Sequence, residues 1–401
     1  MIQTEREQEL LTAGKALEAS LVAVRRELHR HPELSLKEAR TAALVAERLT
    51  ELGLPVQTNV GGYGVVAELA GGRPGPTVAL RADMDALPIE EETGLPFASE
   101  HPGVMHACGH DAHTAMLLGA AELLTARRDE LAGTVRFLFQ AAEEVNAGAK
   151  GMIADGALEG VSEIYGLHNL PTLAAGKVAT RYGSLMGSVD RIELTLEGKG
   201  GHGAIPDQSI DPVVSASAIV MALQTAASRE ISPFDPVVVT IGSLRAGEAN
   251  NVIPHRAELT GTVRTFSPRV QAGMKERLER IVTETAAAYR CHADFRYIEQ
   301  NPVLVSHDLC VQHVEETADR LLGAENRVEA APTMAGEDFA VYLTQIPGAF
   351  FWLGSGPEEN AEQAYGLHHP KFDVNETCLP TGASLLAAIA ASRLEALGGR
   401  N

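Results

Sequence analysis

Residues 77–85 read TVALRADMD, a short apolar strand that leads directly into Arg81, Asp83 and Asp85. In α/β sheets the active site lies beyond the carboxyl ends of the strands, so charged residues at this point bear on both fold and function. Downstream, a helical pattern at 110–126 alternates with strand patterns at 134–140 (TVRFLFQ) and 163–167. This alternation predicts an α/β fold.

The rest of the 401-residue chain indicates a second domain. Helical patterns cover the chain up to about residue 30 and residues 37–51, 307–322 and 381–397. Between them the order changes to strand, helix, strand, strand, helix, strand, at 189–197, 211–228, 237–244, 257–266, 268–289 and 292–298. This βαββαβ order is that of a ferredoxin-like unit. We predict a larger α/β domain from residues 1–184 and 299–401, with a ferredoxin-like domain, residues 185–298, inserted between its segments.

The composition excludes several classes of partner. Acidic residues outnumber basic ones by 53 to 33, and the formal net charge of -20 repels phosphate backbones and anionic lipids. Residues 1–10 (MIQTEREQEL) lack the basic start and apolar run of a secretory signal, and no stretch has the ~18 consecutive apolar residues of a membrane span. We expect a cytoplasmic protein without nucleic-acid or membrane partners.

Residue types that bind metals follow the predicted strands. Cys108 and His110 stand two residues apart before a helix, and Gly109 between them permits a tight turn, so both side chains can face one ion. Glu143 and Glu144 follow the strand at 134–140. Adjacent carboxylates point in different directions, so one can bind a metal while the other faces a metal-bound water as a base.

Two histidine motifs complete the set. His168 lies in GLHN after another strand, and GLHHP near the C-terminus offers His368 and His369, which physical reasoning does not separate. Upstream, Asp83 or Asp85 could hold a histidine ligand in its working tautomer. Singly, such residues are usually solvated loop histidines or a solvated helix start. Together, at several strand ends of an α/β pattern, they favour a metal site.

These residues lie in long, ordered motifs that resemble the M20 family of metallopeptidases and aminoacylases. Within it, the resemblance is to the amidohydrolase branch of hippurate hydrolases, N-acyl-amino-acid amidohydrolases and indole-acetyl-amino-acid hydrolases. It extends nearly end to end and rests on HRHPELS (29–35), RADMDALPI (81–89), HACGHDAH (106–113), QAAEE (140–144), GLHN (166–169), GKGGHGAIP (198–206), NNVIP (250–254), MAGEDF (334–339) and GLHHP (366–370).

The resemblance implies a catalytic larger domain with two divalent metal ions per subunit, which could be zinc, manganese, cobalt or nickel. It implies that Cys108 bridges the ions and that the remaining ligands are His110, Glu144, His168 and His368. Glu143 would then be the general base that activates the water and passes its proton to the leaving amine. Asp85 would orient a ligand.

In family members the inserted domain forms a dimer and acts as a lid that supplies residues to the active site. The resemblance implies that His202, in GGHG, reaches the partner subunit's site and stabilises the oxyanion, and that Asn251 and Arg264 bind substrate. We expect a homodimer or homotetramer that hydrolyses small N-acyl amino acids to a carboxylate and a free amino acid. A dipeptidase or carboxypeptidase of the same fold, and a non-catalytic protein that binds metal or acyl-amino acids, are the alternatives.

Overall fold

The computed structural model describes residues 2–399. The α-helices of this part are α1 (Ile2–Ala16), α2 (Glu18–Arg30), α3 (Ala39–Glu51), α4 (His110–Thr125), α5 (Gly148–Ala154), α6 (Pro212–Arg229), α7 (Pro268–Ala272), α8 (Met274–Ala288), α9 (Asp308–Leu322), α10 (Phe339–Leu343) and α11 (Cys378–Gly398). The strands are β1 (Val56–Val60), β2 (Gly64–Ala70), β3 (Arg73–Asp83), β4 (Ala132–Gln140), β5 (Val161–Ala174), β6 (Val178–Thr180), β7 (Ser184–Met186), β8 (Val189–Glu197), β9 (Gly201–His202), β10 (Val237–Ala246), β11 (Val252–Ile253), β12 (Arg256–Thr265), β13 (His292–Asn301), β14 (Leu304–Val305), β15 (Arg327–Glu329) and β16 (Gly348–Gly356).

Two helices predicted as continuous are each divided in two. The N-terminal helix is interrupted where the Leu17 amide donates to the Gly14 carbonyl, 3.0 Å away, and α2 begins at the next residue. The helix predicted at 268–289 is divided at Gly273, whose amide donates to the Val270 carbonyl. Glycine is a poor helix former, so it allows the chain to change direction there.

The chain forms two compact units. The larger consists of the residues up to 183, residues 305–331 and those from 341 on, and the smaller of residues 184–304 and 332–340. The sequence predicted domain boundaries at 184/185 and 298/299, whereas the compact units divide at 183/184 and 304/305. The second boundary lies later than predicted because β13 extends to Asn301 and Leu304 begins β14, which pairs with β7. Residues 332–340 group with the smaller unit, although the prediction placed them in the larger domain.

The larger unit contains an eight-stranded sheet of order β1-β2-β4-β3-β5-β16-β6-β15. Its four central strands, β4, β3, β5 and β16, are mutually parallel. The outer strands β1 and β2 pair antiparallel, as do β2 with β4 and β16 with β6. This mixed α/β sheet confirms the predicted fold class.

Two almost fully buried helices, α4 and α11, pack against each other and against β3. Both are rich in Ala and Leu, and their side chains belong to one apolar core with Val78, Leu80 and Phe137 of the sheet. Burial on most sides explains why these helices lack a polar face. Among residues 2–399, no helix is long and apolar enough to cross a membrane.

The smaller unit has an antiparallel sheet of order β10-β12-β8-β13. Alternate residues of β8, Ile192, Leu194 and Leu196, share its core with Ile219 of α6 and Leu278 of α8. The chain order β8, α6, β10, β12, α8, β13 and this strand order are those of the ferredoxin-like unit predicted from the sequence.

Candidate functional site

The candidate site lies at the carboxyl end of the central parallel strands of the larger unit. Asp83, the last residue of β3, is aligned with Gln140, the last residue of β4. In the neighbouring pair, His168 of β5 is aligned with Trp352 of β16. The strands therefore bring the polar clusters that follow them to one edge of the sheet, where α/β folds place their ligands.

Cys108 and His110 are positioned by the turn that begins α4. Gly109 has a φ of 90°, in the left-handed region, and a side chain on it would overlap the amide of Asn169. The turn places Cys108 Sγ 3.3 Å from His168 Nε2. One donor atom from each of Cys108, His110 and His168 lies within 4.8 Å of the others, and all three residues are buried. Glycine is thus required here by backbone conformation and by space.

The two glutamates lie on the loop between β4 and α5. Glu143 is 7% exposed, and the Glu144 backbone amide donates to Asp85 Oδ2 at 3.0 Å. Glu144 Oε1 lies 3.3 Å from His368 Nε2 and 3.9 Å from His110 Nε2. One oxygen of Glu143 also lies within 4.8 Å of donor atoms of His110 and Glu144. Both carboxylates are therefore close to His110, as expected if one binds a metal and the other acts as a base.

The structure separates the two C-terminal histidines. His368 has a φ of 65°, and its backbone amide donates to the Ala107 carbonyl at 2.8 Å, which places its ring beside Glu144. The His369 ring instead stacks on Tyr365, with ring centroids 4.4 Å apart. Only His368 therefore joins the cluster of potential ligands.

The donor atoms form two overlapping sets that share Cys108. The first comprises Cys108, His110 and His168, and the second Cys108, Glu144 and His368, each with its donor atoms within 4.8 Å of one another. His110 Nε2 and Glu144 Oε1 are buried without a hydrogen-bond partner. Buried polar atoms are normally hydrogen-bonded, so two atoms without a partner at one point, each able to bind a metal once it is deprotonated, fit a cation site.

The electrostatics of the cluster favour a cation. Burial lowers the pKa of His110, but Asp83, Asp85 and Glu144 around it raise that pKa to about 10. Burial and then the charge of Glu144 raise the pKa of the Cys108 thiol well above its usual range. Negative charge is thus concentrated here, and without metal it retains protons that a divalent ion would displace.

Hydrogen bonds fix the tautomers of two histidines. His110 Nδ1 lies 3.2 Å from Asp85 Oδ1, and His168 Nδ1 lies 2.8 Å from the Asn169 carbonyl oxygen. Both partners only accept hydrogen bonds, so each Nδ1 carries a proton and each Nε2 faces the cluster. Asp85 also accepts from the Ser35 hydroxyl at 2.6 Å. A hydrogen-bond acceptor on the Nδ1 side of the ring, opposite the nitrogen that would bind the ion, is typical of metal-binding histidines.

A buried hydrogen-bond network next to the cluster was not predicted from the sequence. His113 Nδ1 lies 2.6 Å from Asp83 Oδ1, and its Nε2 accepts from the Asn169 backbone amide at 2.9 Å. The Asn169 side-chain amide donates to the Cys108 carbonyl at 2.6 Å. The only sequence signal was that His113 and Asn169 end the HACGHDAH and GLHN motifs. The network holds the backbone of Cys108 and the main chain after His168.

The other predicted residues lie in the smaller unit. His202 on β9 pairs with Val252 on β11, and the Gly203 amide donates to the Asn251 carbonyl at 2.8 Å, so His202 and Asn251 are near neighbours. Both are exposed. Arg264 on β12 is partly buried, and burial lowers its pKa. Within this unit, His202 and Asn251 are therefore available to a ligand.

Comparison with known proteins identifies the family. The sequence model of Peptidase family M20/M25/M40 matches residues 79–392. The chain is 43% identical to N-acetylcysteine deacetylase of Bacillus subtilis, over 96% of this chain and 100% of that protein. It is 42% identical to IAA-amino acid hydrolase ILR1-like 5 of Arabidopsis thaliana, over 92% of this chain and 86% of that protein. The chain therefore belongs to peptidase family M20/M25/M40, which confirms the resemblance carried by its motifs.

A solved structure agrees. The Bacillus subtilis YXEP protein, described as a dinuclear metal-binding peptidase of the M20 family, matches with a TM-score of 0.83 and 40% identity. The match covers 95% of this chain and 99% of that one. The similarity thus includes both compact units.

Proposed function

We propose that this protein is a metal-dependent amidohydrolase that cleaves the amide bond of N-acyl amino acids, giving a carboxylate and a free amino acid. The observation that carries this proposal is the pair of donor sets sharing Cys108, with the buried Glu143 beside Glu144. The relatives named as a deacetylase of N-acetylcysteine and as an IAA-amino acid hydrolase support the same class of reaction.

Five residues would hold two divalent ions: Cys108, His110, Glu144, His168 and His368. When bound, such ions polarise an amide carbonyl and lower the pKa of the attacking water. Asp85 keeps the His110 proton on Nδ1, so the Nε2 lone pair faces the site. Thiolate, imidazole and carboxylate suit zinc, manganese, cobalt or nickel, so the donor set does not select one metal.

Glu143 is proposed as the general base. Its carboxylate has an oxygen within 4.8 Å of donor atoms of His110 and Glu144, so it is close to the ions that these residues would bind. In this role Glu143 accepts a proton from the attacking water and delivers it to the nitrogen of the departing amino acid. Its burial reduces competition from bulk solvent for that proton.

The smaller unit is proposed to supply substrate contacts. We assign oxyanion stabilisation to His202 and recognition of the substrate carboxylate or carbonyl to Asn251 and Arg264, in a homodimer or homotetramer. A guanidinium suits a carboxylate because it can form two parallel hydrogen bonds. Oligomeric state and a cytoplasmic location stay predictions from the sequence.

The test is release of free amino acid from N-acetyl, N-benzoyl and indole-acetyl amino acids and from simple dipeptides. The panel is run on metal-stripped protein and after adding zinc, manganese or cobalt. We expect metal-dependent cleavage of at least one acyl class. Cleavage of dipeptides alone would instead assign a peptidase of the same fold, and tight metal binding without any cleavage would refute an enzymatic role.

A further inference from the structure

The loop that carries Glu143 and Glu144 has a strained backbone. Ala142 has a φ of 57°, in the left-handed region that residues with a side chain seldom adopt, and Asn146, a residue type that tolerates this region, has a φ of 58°. The loop is closed by the Asn146 amide donating to the Glu143 carbonyl at 2.8 Å and by the Gly148 amide donating to the Ala142 carbonyl at 3.1 Å. Such a conformation persists only where surrounding contacts maintain it.

Glu38 supplies one of these contacts from a distant part of the sequence. Its Oε1 accepts from the Ala142 amide at 2.8 Å and from the Leu36 amide at 3.0 Å. The backbone of Glu38 is itself fixed, because its carbonyl accepts the Ala42 amide in the first turn of α3, whose Val45 is fully buried. A rigid helix start thus holds the strained residue that precedes the two glutamates.

A second carboxylate holds the other side of Glu143. The Glu144 amide donates to Asp85 Oδ2 at 3.0 Å, so the amides of residues 142 and 144 are bound by Glu38 and Asp85 respectively. The residue between them is Glu143. With both adjoining amides fixed, the direction in which the Glu143 side chain leaves the backbone is also fixed.

We propose that Glu38 is a positioning residue for amide hydrolysis: by holding the Ala142 amide it aims Glu143 and Glu144 at the metal site. This inference rests on the proposed function. Glu38 is fully buried, and its Oε2 has no hydrogen-bond partner. A buried carboxyl group with one unpaired oxygen is a costly way to stabilise a fold, which points to a role in geometry.

The experiment compares two variants of nearly equal size. Glu38→Met fills the same space but cannot accept a hydrogen bond, whereas Glu38→Gln keeps a carbonyl oxygen for the Ala142 amide. Gln also resembles the neutral acid, which is relevant because burial raises the pKa of Glu38 to about 7. Glu38→Asp, one methylene shorter, is a milder variant if Glu38→Met does not fold.

Glu33→Met is the matched control. Glu33 belongs to the same segment and accepts the backbone amides of Arg40 and Thr41 at 3.1 and 2.8 Å, at the start of α3. Its removal also leaves two amides without an acceptor, but neither belongs to the catalytic loop. Loss of fold stability alone should therefore affect both methionine variants.

Three quantities are measured: Tm, kcat and KM for the best acyl-amino acid, and the affinity of metal-stripped protein for zinc by calorimetry. We expect Glu38→Met to lower kcat and zinc affinity by about 10- to 100-fold with little change in KM, as removal of groups that orient ligands does. Glu38→Asp should show smaller losses in the same direction. Glu38→Gln and Glu33→Met should keep kcat and zinc affinity within about threefold of wild type on the same reasoning.

The inference is overturned if Glu38→Met, or Glu38→Asp in its place, loses only Tm, as Glu33→Met does. It is also overturned if Glu38→Gln loses as much kcat as Glu38→Met, because the hydrogen bond would then not be the cause. A wild-type protein without amidase activity would refute the proposed function instead. Zinc affinity would still show whether Glu38 positions Glu144.

Discussion

Replacing Gly109 by alanine should disturb the site by two separate effects. The φ of 90° places the new side chain in a left-handed conformation, which costs about 1–2 kcal/mol. The added Cβ would also overlap the Asn169 amide and lie 2.9 Å from its Cγ. Asn169 is fully buried, donates to the Cys108 carbonyl and accepts from Ser355, so moving it sacrifices hydrogen bonds worth about 1 kcal/mol each. The sum is about 3–4 kcal/mol.

Gly53→Ala provides the control for backbone strain. Gly53 has a φ of 74°, and a Cβ on it would meet nothing within 4 Å. This substitution should cost only about 1–2 kcal/mol, from strain alone. The difference between the two variants therefore isolates the overlap with Asn169.

The assay is urea unfolding of metal-stripped protein, followed by the fluorescence of Trp352, the one tryptophan of the chain. Its ring lies 5.2 Å from that of His168, so the signal comes from the larger unit and from the site itself. Zinc affinity is measured in parallel, and we expect Gly109→Ala to lower it at least tenfold, as displaced ligands do. Equal losses of stability in the two variants, or unchanged zinc affinity in Gly109→Ala, would refute the reasoning.

Three further predictions concern titratable side chains. Glu143→Gln should retain zinc in metal analysis and lose about 10²–10⁴-fold in kcat, whereas Glu144→Gln should lose zinc as well; equal zinc content in both would contradict their assigned roles. Burial lowers the pKa of His29, but Asp111 raises it overall to about 9, so its contribution to stability is complete below pH 6.5 and is lost as pH rises through 9. Between pH 6.5 and 9 the Tm of the wild type should fall relative to that of His29→Gln. Plots of Tm against pH that run parallel for the two proteins would refute this prediction. The pKa of the Cys108 thiol is raised, so zinc must displace its proton in order to bind the thiolate. Zinc binding measured by calorimetry should therefore release protons, and the affinity should rise with pH. An affinity that does not depend on pH would argue against a thiolate ligand.

The sequence was sufficient to predict those features of the fold and of the candidate site that depend on residues near one another in the chain. The alternation of strands and helices predicted the α/β sheet, and the βαββαβ order predicted the ferredoxin-like unit, because each element follows from its own pattern. Turn chemistry around Gly109 likewise indicated that Cys108 and His110 could face one ion. The strand ends then brought these residues to His168, as the rule for α/β sheets implies.

Features that depend on distant contacts were not accessible to the same reasoning. His368, and not His369, lies beside Glu144 because of its left-handed backbone and its hydrogen bond to Ala107, and a sequence pattern reveals neither of these. Glu38 meets Ala142 across more than a hundred residues of chain, so its role appears only in three dimensions. The interruption at Gly273 was missed because the helical spacing of apolar residues continues across it, with Val270, Met274 and Leu278 all buried.

The most direct test of the account is to add zinc or manganese stepwise to metal-stripped protein while following amino acid release from an N-acyl amino acid in the same samples. We expect no release without metal, and release that reaches its maximum at two ions per chain, because the donor sets that share Cys108 would both be filled. Full release from metal-free protein, or a maximum at one ion with no second binding event, would contradict the central claim.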